Sequence, residues 1–315
     1  MAYRKIFDAK GKTREEWLEV RRIGLGGSDM AAVLGYSKWR SPLDVWLDKT
    51  GRTEPETEEN DFIHFGNVLE PIVAQEFAER SGKKVRNNNY TLQSEEHPFL
   101  LANIDREITG EDAGLECKTA SAFKAKEWEG DAVPDDYYIQ CQHYMAVTGK
   151  SSWWIACLCG GNQFFYKEIP RNEDIIQTII EQGRIFWQMV QDDTMPAVDG
   201  STACSEALKQ MHPQGDGSIV ELEDTAKIYI EQFKQAKADE AEAKARKTEA
   251  QNALCDMLKK AEKGNCGEYT VSWSNKAGRT SFDYKSLLKE HGEKLPWLET
   301  YLKTGSPTRS FSIKG

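Results

Sequence analysis

Phe99-Leu100-Leu101-Ala102-Asn103-Ile104-Asp105, then a turn through Gly110 to Gly114, then Leu115-Glu116-Cys117-Lys118-Thr119: the reading of this chain turns on these residues. Both flanks are apolar enough for strands, and the glycine-bounded turn between them predicts a hairpin. Residues i and i+2 of a strand project from one face, so Glu116 and Lys118 stand side by side. The predicted hairpin folds Asp105 back towards them. An E-x-K tripeptide alone says little in a chain with 29% charged residues, where it is usually a solvated strand face. Here it lies in an apolar strand, with an Asp on the opposing arm. Two carboxylates beside a lysine suit a hard Mg²⁺ ion, which prefers oxygen and keeps several waters. Such an ion lowers the pKa of a bound water and screens a phosphate. A lysine near it can have its pKa depressed and orient or deprotonate that water. The chemistry implied is metal-assisted phosphodiester hydrolysis.

Moving outward, residues 61–81 place Phe62, Phe65, Leu69, Val73 and Phe77 at helical spacing, closed by Gly82. This helix carries Gly66-Asn67-Val68-Leu69-Glu70; taken alone, Glu70 reads as an exposed helix glutamate. Pro134 opens a helix through Tyr144 to Val147, ended by Gly149. Gln140 and Tyr144 share a face of it by their i,i+4 spacing, and alone they read as a partly buried polar pair. Nearer the N-terminus, Thr13 can cap a helix bearing Trp17, Val20 and Arg21. Ser28 or Asp29 can cap a second, and a third begins near Ser41-Pro42. Ser152 to Leu158 and Gln163 to Ile169 predict a second hairpin, and a helix follows over 173–192. Residues 1–198 therefore read as one α/β core, a central mixed sheet flanked by helices.

Beyond it, the Ser-, Gly-, Pro- and Asp-rich stretch around 199–222 predicts a linker. Residues 223–263 read as a long helix. Its centre, Ala236 to Ala250, is too polar for a core, and its apolar anchors (Ile228, Ile230, Phe233, then Leu254, Met257, Leu258) sit at the ends. That pattern suits a projecting arm, or a solvated helix held by its ends. Residues 264–315 read as a small α+β module with a strand at Tyr269 to Trp273, a helix over Tyr284 to His291 and a closing strand near Arg309 to Ile313.

Composition narrows the class. The seven scattered cysteines predict free thiols in a reducing compartment, with neither an iron–sulfur cluster nor, given five dispersed histidines, a zinc site. The longest strongly apolar run, Trp153 to Cys159, is too short for a bilayer, and no apolar stretch follows the N-terminal Lys5, so the expected location is the cytoplasm. A net charge of −10 is unusual for a DNA-binding chain. Phosphate binding, however, depends on local potential, and acidic clusters such as Glu95-Glu96 and Asp192-Asp193 lie outside the motifs.

The motif order decides between readings. Trp17 with Arg21, Gly27-Ser28-Asp29, Gly66 to Glu70, Ile104-Asp105, Glu116-Cys117-Lys118 and Gln140 to Tyr144 follow one another as W-x-x-x-R, G-S-D, G-x-x-x-E, D, E-x-K and Q-x-x-x-Y. This series resembles the phage lambda exonuclease and YqaJ-type viral recombinase family of PD-(D/E)xK nucleases. The resemblance implies a restriction-endonuclease-like core that digests linear double-stranded DNA from its 5′ ends. It implies a 3′ overhang passed to a single-strand annealing protein in phage-type recombination within a bacterial host, and a ring-shaped homotrimer. It implies one or two Mg²⁺ or Mn²⁺ ions on Asp105, Glu116 and the backbone carbonyl of Cys117, with Glu70 supporting a second ion. Lys118 would activate the water, Gln140 would position Lys118 or the water, and Tyr144 would pack behind. Arg21 matches the arginine that grips the 5′-phosphate, and Arg22 could replace it. Ser28 is either a phosphate contact or a plain N-cap. An endonuclease on the same core, and a non-catalytic scaffold for DNA ends, are the competing readings. The intact Asp105, Glu116 and Lys118 set argues against the scaffold. Residues 200–315 exceed the lambda-type core.

Overall fold

In the computed structural model, which describes residues 3–53, 60–278, 281, 283–291, 297 and 313, the chain forms two compact units that meet between Met211 and His212. The first opens with β1 (Tyr3–Asp8), α1 (Arg14–Arg21), α2 (Gly27–Val33), α3 (Pro42–Lys49) and α4 (Asp61–Ser81). Thr13 caps α1 reciprocally with Glu16, and Ser41 caps α3 with Asp44 behind Pro42. Helix α2 differs from expectation. Its cap is Gly26, whose N–H donates to Asp29 at 2.9 Å, so Ser28 and Asp29 lie within the first turn and neither is the N-cap. Gly82 ends α4 in the left-handed conformation at φ 72°. Only the second half of α4 buries the predicted stripe: Val73 and Phe77 are in the core, but Phe62 and Phe65 are exposed.

There follow β2 (Val85–Asn87), β3 (Tyr90–Ser94), β4 (Leu101–Asn103), β5 (Arg106–Ile108), β6 (Ala113–Ala120), α5 (Asp135–Thr148), β7 (Ser152–Cys159), β8 (Gln163–Pro170) and α6 (Glu173–Gln191). The strands make two sheets, ordered β1-β3-β4 and β2-β5-β6-β7-β8. The larger is mixed, because β6 and β7 run parallel while its other pairs are antiparallel. The crossover between those two strands carries α5. Alternation along them assigns the faces. Leu115, Cys117 and Ala156 pack with Val73 and Phe77 of α4, whereas Trp153, Ile155 and Cys157 pack with α5. Glu116 lies opposite Ile155 and Lys118 opposite Cys157, so both project on the α5 face. Gly114 keeps β6 and β7 close: a Cβ there would meet the Trp153 ring at 2.3 Å.

The predicted hairpin is corrected. Leu101 to Asn103 pair with β3 in the smaller sheet, and the chain changes sheets at Ile104-Asp105. The arm that pairs with β6 is β5, Arg106 opposite Leu115. Leu100, Leu101 and Ala102 are completely enclosed, which places that run inside the core and not along a half-solvated hairpin.

The predicted linker is also corrected. Within 199–222 stands α7 (Thr202–Met211), whose first turn is held by the Cys204 N–H donating to Ser201 Oγ at 3.0 Å. It buries Cys204 and Ala207 in the cluster that holds Leu43, Val45, Trp46 and Leu47 of α3, so the first unit extends to Met211. The second unit holds α8 (Ala226–Leu258), β9 (Lys263–Cys266), β10 (Tyr269–Ser272) and α9 (Tyr284–His291). Helix α8, about 50 Å long at 1.5 Å per residue, buries none of its residues. The closing strand expected near Arg309 to Ile313 falls outside the described residues, Ile313 apart.

A chain ending at Met211 should keep the first unit intact, with a thermal midpoint within a few degrees of the full chain by circular dichroism. Ending at Ala197 removes α7 and uncovers the α3 side of the core. That should cost on the order of 2–4 kcal/mol. Equal stability of the two truncations would contradict the packing role of α7.

Candidate active site

The α5 face of β6 carries Glu116 and Lys118. Glu116 is buried there, and Lys118 Nζ lies 2.6 Å from its Oε1. The sheet-to-sheet crossing brings Asp105 alongside, where its Oδ2 accepts the Cys117 N–H at 2.8 Å. One turn of α5 closes the third side. Gln140 Nε2 donates to Glu116 Oε1 at 2.8 Å and lies 2.7 Å from the Tyr144 hydroxyl, as the i,i+4 spacing allows. Tyr144 in turn lies against Trp153, ring centroids 5.2 Å apart. The Tyr137 ring sits 4.9 Å from Lys118 Nζ.

Helix α4 brings Glu70 to the same place, with an unexpected partner. Arg106 Nη1 donates to Glu70 Oε1 at 2.6 Å and to the Asp105 carbonyl at 2.8 Å. The local charge is therefore three carboxylates against two cations. Burial first, and then the facing Glu116 and Glu70, raise the Asp105 carboxyl well above the ordinary carboxylate range. For Lys118, burial works against the charge, but Glu116 and Asp105 outweigh it and hold the ammonium above its ordinary value. The depression expected of Lys118 belongs to a lysine beside a metal ion. Here its nearest neighbour is a carboxylate.

The donor set suits a hard divalent cation. Glu116 Oε2 is buried with no hydrogen-bond partner among the described residues, which is costly for a carboxylate unless something positive meets it. Among the described residues no three His, Cys, Asp or Glu side chains converge as a closed metal cage. Asp105 and Glu116 are the two carboxylates not given over to an arginine. The Cys117 thiol lies in the α4 cluster on the other face, and burial raises its pKa far beyond the thiol range.

The N-terminal motifs form a second cluster. Arg21 stacks on Trp17, centroid distance 4.9 Å, and its Nη2 donates to Ser28 Oγ at 3.4 Å. Arg22 is committed elsewhere, to Glu19 at 3.0 Å and the Thr53 carbonyl at 2.9 Å. Behind Arg21 lies a fully enclosed Asp29, contacted by Arg40 at 2.7 Å and Lys49 at 2.8 Å. Burial opposes its charge, yet Lys49, Arg40 and Arg21 together keep this carboxyl far below the ordinary range. The two clusters touch through Gly27. A Cβ there would meet Gln140 Cγ at 2.8 Å and Tyr144 at 3.2 Å, so only glycine lets α2 approach α5 this closely. Trp17 Nε1 adds a 3.3 Å bond to Asn103, two residues before Asp105.

Sequence patterns alone do not single out Arg106, Arg40, Lys49 or Tyr137. The first has a usable signal: it shares a face with the apolar Ile108 in a short strand directly after Asp105.

Residues 16–151, which span these motifs from Trp17 to Tyr144, match the family model of the YqaJ-like viral recombinase domain. The chain is 40% identical over 265 residues to YqaJ of Bacillus subtilis (strain 168), covering 83% of each protein. It is 28% identical over 155 residues to protein R354 of Acanthamoeba polyphaga mimivirus, 45% of this chain and 27% of that one. An alkaline exonuclease from Laribacter hongkongensis has the same fold, with a TM-score of 0.50 over 57% of this chain and 94% of that one at 19% identity. The mixed sheet between helices is the restriction-endonuclease-like architecture. No described helix is long and apolar enough to cross a membrane. An alignment of 265 residues is longer than the 211-residue first unit, so the likeness to the Bacillus protein is not confined to the site, and the chain belongs to the YqaJ-like viral recombinase domain family.

Proposed function

We propose that the protein is a divalent-metal-dependent deoxyribonuclease that digests linear double-stranded DNA from its 5′ ends. The observation that carries this reading is the buried Glu116 Oε2, without a hydrogen-bond partner among the described residues, on the carboxylate whose other oxygen meets Lys118. Asp105 and Glu116, with the Cys117 carbonyl, would hold Mg²⁺ or Mn²⁺. When bound, such an ion supplies an acidified water and neutralises phosphate charge. Lys118, beside Glu116, would orient or activate the attacking water. Gln140 fixes the direction of Glu116, and Tyr144 fixes Gln140. Arg21 and Ser28 would receive the terminal phosphate, since a guanidinium grips phosphate through paired bonds. Arg22, held by Glu19 and Thr53, is the weaker candidate. A 3′ overhang would pass to a single-strand annealing protein, and a homotrimeric ring would keep the enzyme on its strand.

With Mg²⁺, linear duplex should disappear while covalently closed circles survive. Loss of both substrates would indicate an endonuclease, and loss of neither a binding scaffold. Lys118→Ala should lower the hydrolysis rate at least ~100-fold and leave duplex affinity within about threefold. Activity within tenfold of wild type, about 1.4 kcal/mol of barrier, would remove Lys118 from the chemistry.

The crowding at Asp105 has a thermodynamic signature. A carboxyl whose pKa is raised on folding stabilises the folded state below its unfolded pKa, about 3.9. That contribution is lost as the pH climbs through the folded value. Asp105→Asn, neutral at every pH, should raise the metal-free melting midpoint by a few degrees at pH 8 and change it little at pH 4. Calorimetry showing the same shift at both pH values would contradict the charge crowding.

Arg21→Ala should slow digestion of 5′-phosphorylated ends at least ~10-fold more than of 5′-hydroxyl ends, the equivalent of one charge-assisted bond. Equal slowing would mean that Arg21 is not the residue that reads the end.

A further inference from the structure

Arg106 takes no part in the scheme above, yet it is tightly constrained. It is 6% exposed, and its place on β5 is fixed opposite Leu115 of β6. Its guanidinium reaches past Asp105 to Glu70 at 2.6 Å. An arginine does not lose its proton in a protein, so this positive charge is permanent. Anything that took Glu70 away would leave a buried cation with its carboxylate partner removed, which is strongly unfavourable.

Charge counting points the same way. With all three carboxylates ionised, as metal binding requires, Asp105, Glu116 and Glu70 face Lys118 and Arg106, a net charge of minus one. One divalent ion brings the centre to plus one, which a single backbone phosphate then neutralises. Two ions would leave plus three in a desolvated site before substrate arrives.

We infer that Arg106 is a built-in substitute for a second metal ion: its guanidinium holds Glu70, and the centre takes one divalent cation, on Asp105 and Glu116. Arg106 is thus a positioning residue that sets metal stoichiometry. The inference rests on the metal-dependent reading and narrows it from one or two ions to one.

The test counts Mn²⁺ bound to the full-length protein without DNA, by electron paramagnetic resonance and titration calorimetry. Ions belonging to the site are those lost in the Asp105→Asn, Glu116→Gln double variant. Wild type should bind one such ion. Arg106→Gln, which frees Glu70, should bind two, and Arg106→Lys, which retains a cation, should return to one. Glu70→Gln in the otherwise native chain should leave Mn²⁺ affinity within about threefold, because Glu70 is not a ligand; this variant serves even if Arg106→Gln fails to fold. Two site ions in wild type would overturn the inference and leave a metal-dependent nuclease standing. So would a folded Arg106→Gln that binds only one ion, or a tenfold loss of affinity in Glu70→Gln. No site ion in wild type would overturn both readings together.

Discussion

The bond from the Cys117 N–H to the Asp105 carboxylate, 2.8 Å long, is the contact on which the site depends. It pins the point where the chain leaves one sheet to the middle strand of the other. It thereby forces Asp105 and Glu116 together in a largely desolvated place, where like charges repel most strongly. The surrounding groups answer that repulsion. Lys118 and Gln140 both bind Glu116 Oε1, and Arg106 pairs with Glu70. One oxygen, Glu116 Oε2, is left without an answer inside the protein.

Much of this was legible in the residues. Period-two alternation put Glu116 and Lys118 on one face, and i,i+4 spacing put Gln140 beside Tyr144. The glycine stops at Gly82 and Gly149 bound their helices as the sequence suggests. What was not legible is long-range. Glu70 and Arg106 are 36 residues apart, and neither sits in a pattern that predicts the other. The apolar run before Asp105 reads equally as a hairpin arm or as a fully enclosed strand, because burial on both faces erases alternation. Helix α7 hides in a Ser- and Gly-rich stretch because the residues it buries, Cys204 and Ala207, are small. The front of α4 misleads in the opposite sense: Phe62 and Phe65 have helical spacing but are exposed.

The acidic total charge does not extend to the N-terminal cluster. Arg21, Arg40 and Lys49 surround the enclosed Asp29, and Asp48 pairs with Arg40 and Lys49 as well, so three cations meet two carboxylates beside Ser28 while the formal charge of the chain stays at −10. An ion cluster of this kind is costly to assemble unless fully paired, and its value lies in holding the Arg21 side chain in one orientation. Screening by salt acts mainly on the exposed acidic residues, which lie elsewhere, and much less on this enclosed group.

The contact of Gly27 with Gln140 carries one more consequence. With no room for even a methyl group, α2 and α5 have no slack where they cross. A shift of a few tenths of an ångström in α2 cannot be absorbed by side-chain rearrangement there. It is handed to the amide that orients Glu116. The Arg21–Ser28 cluster and Glu116 are therefore geared to each other like teeth on one wheel, and a displacement of the first reaches the second through Gln140.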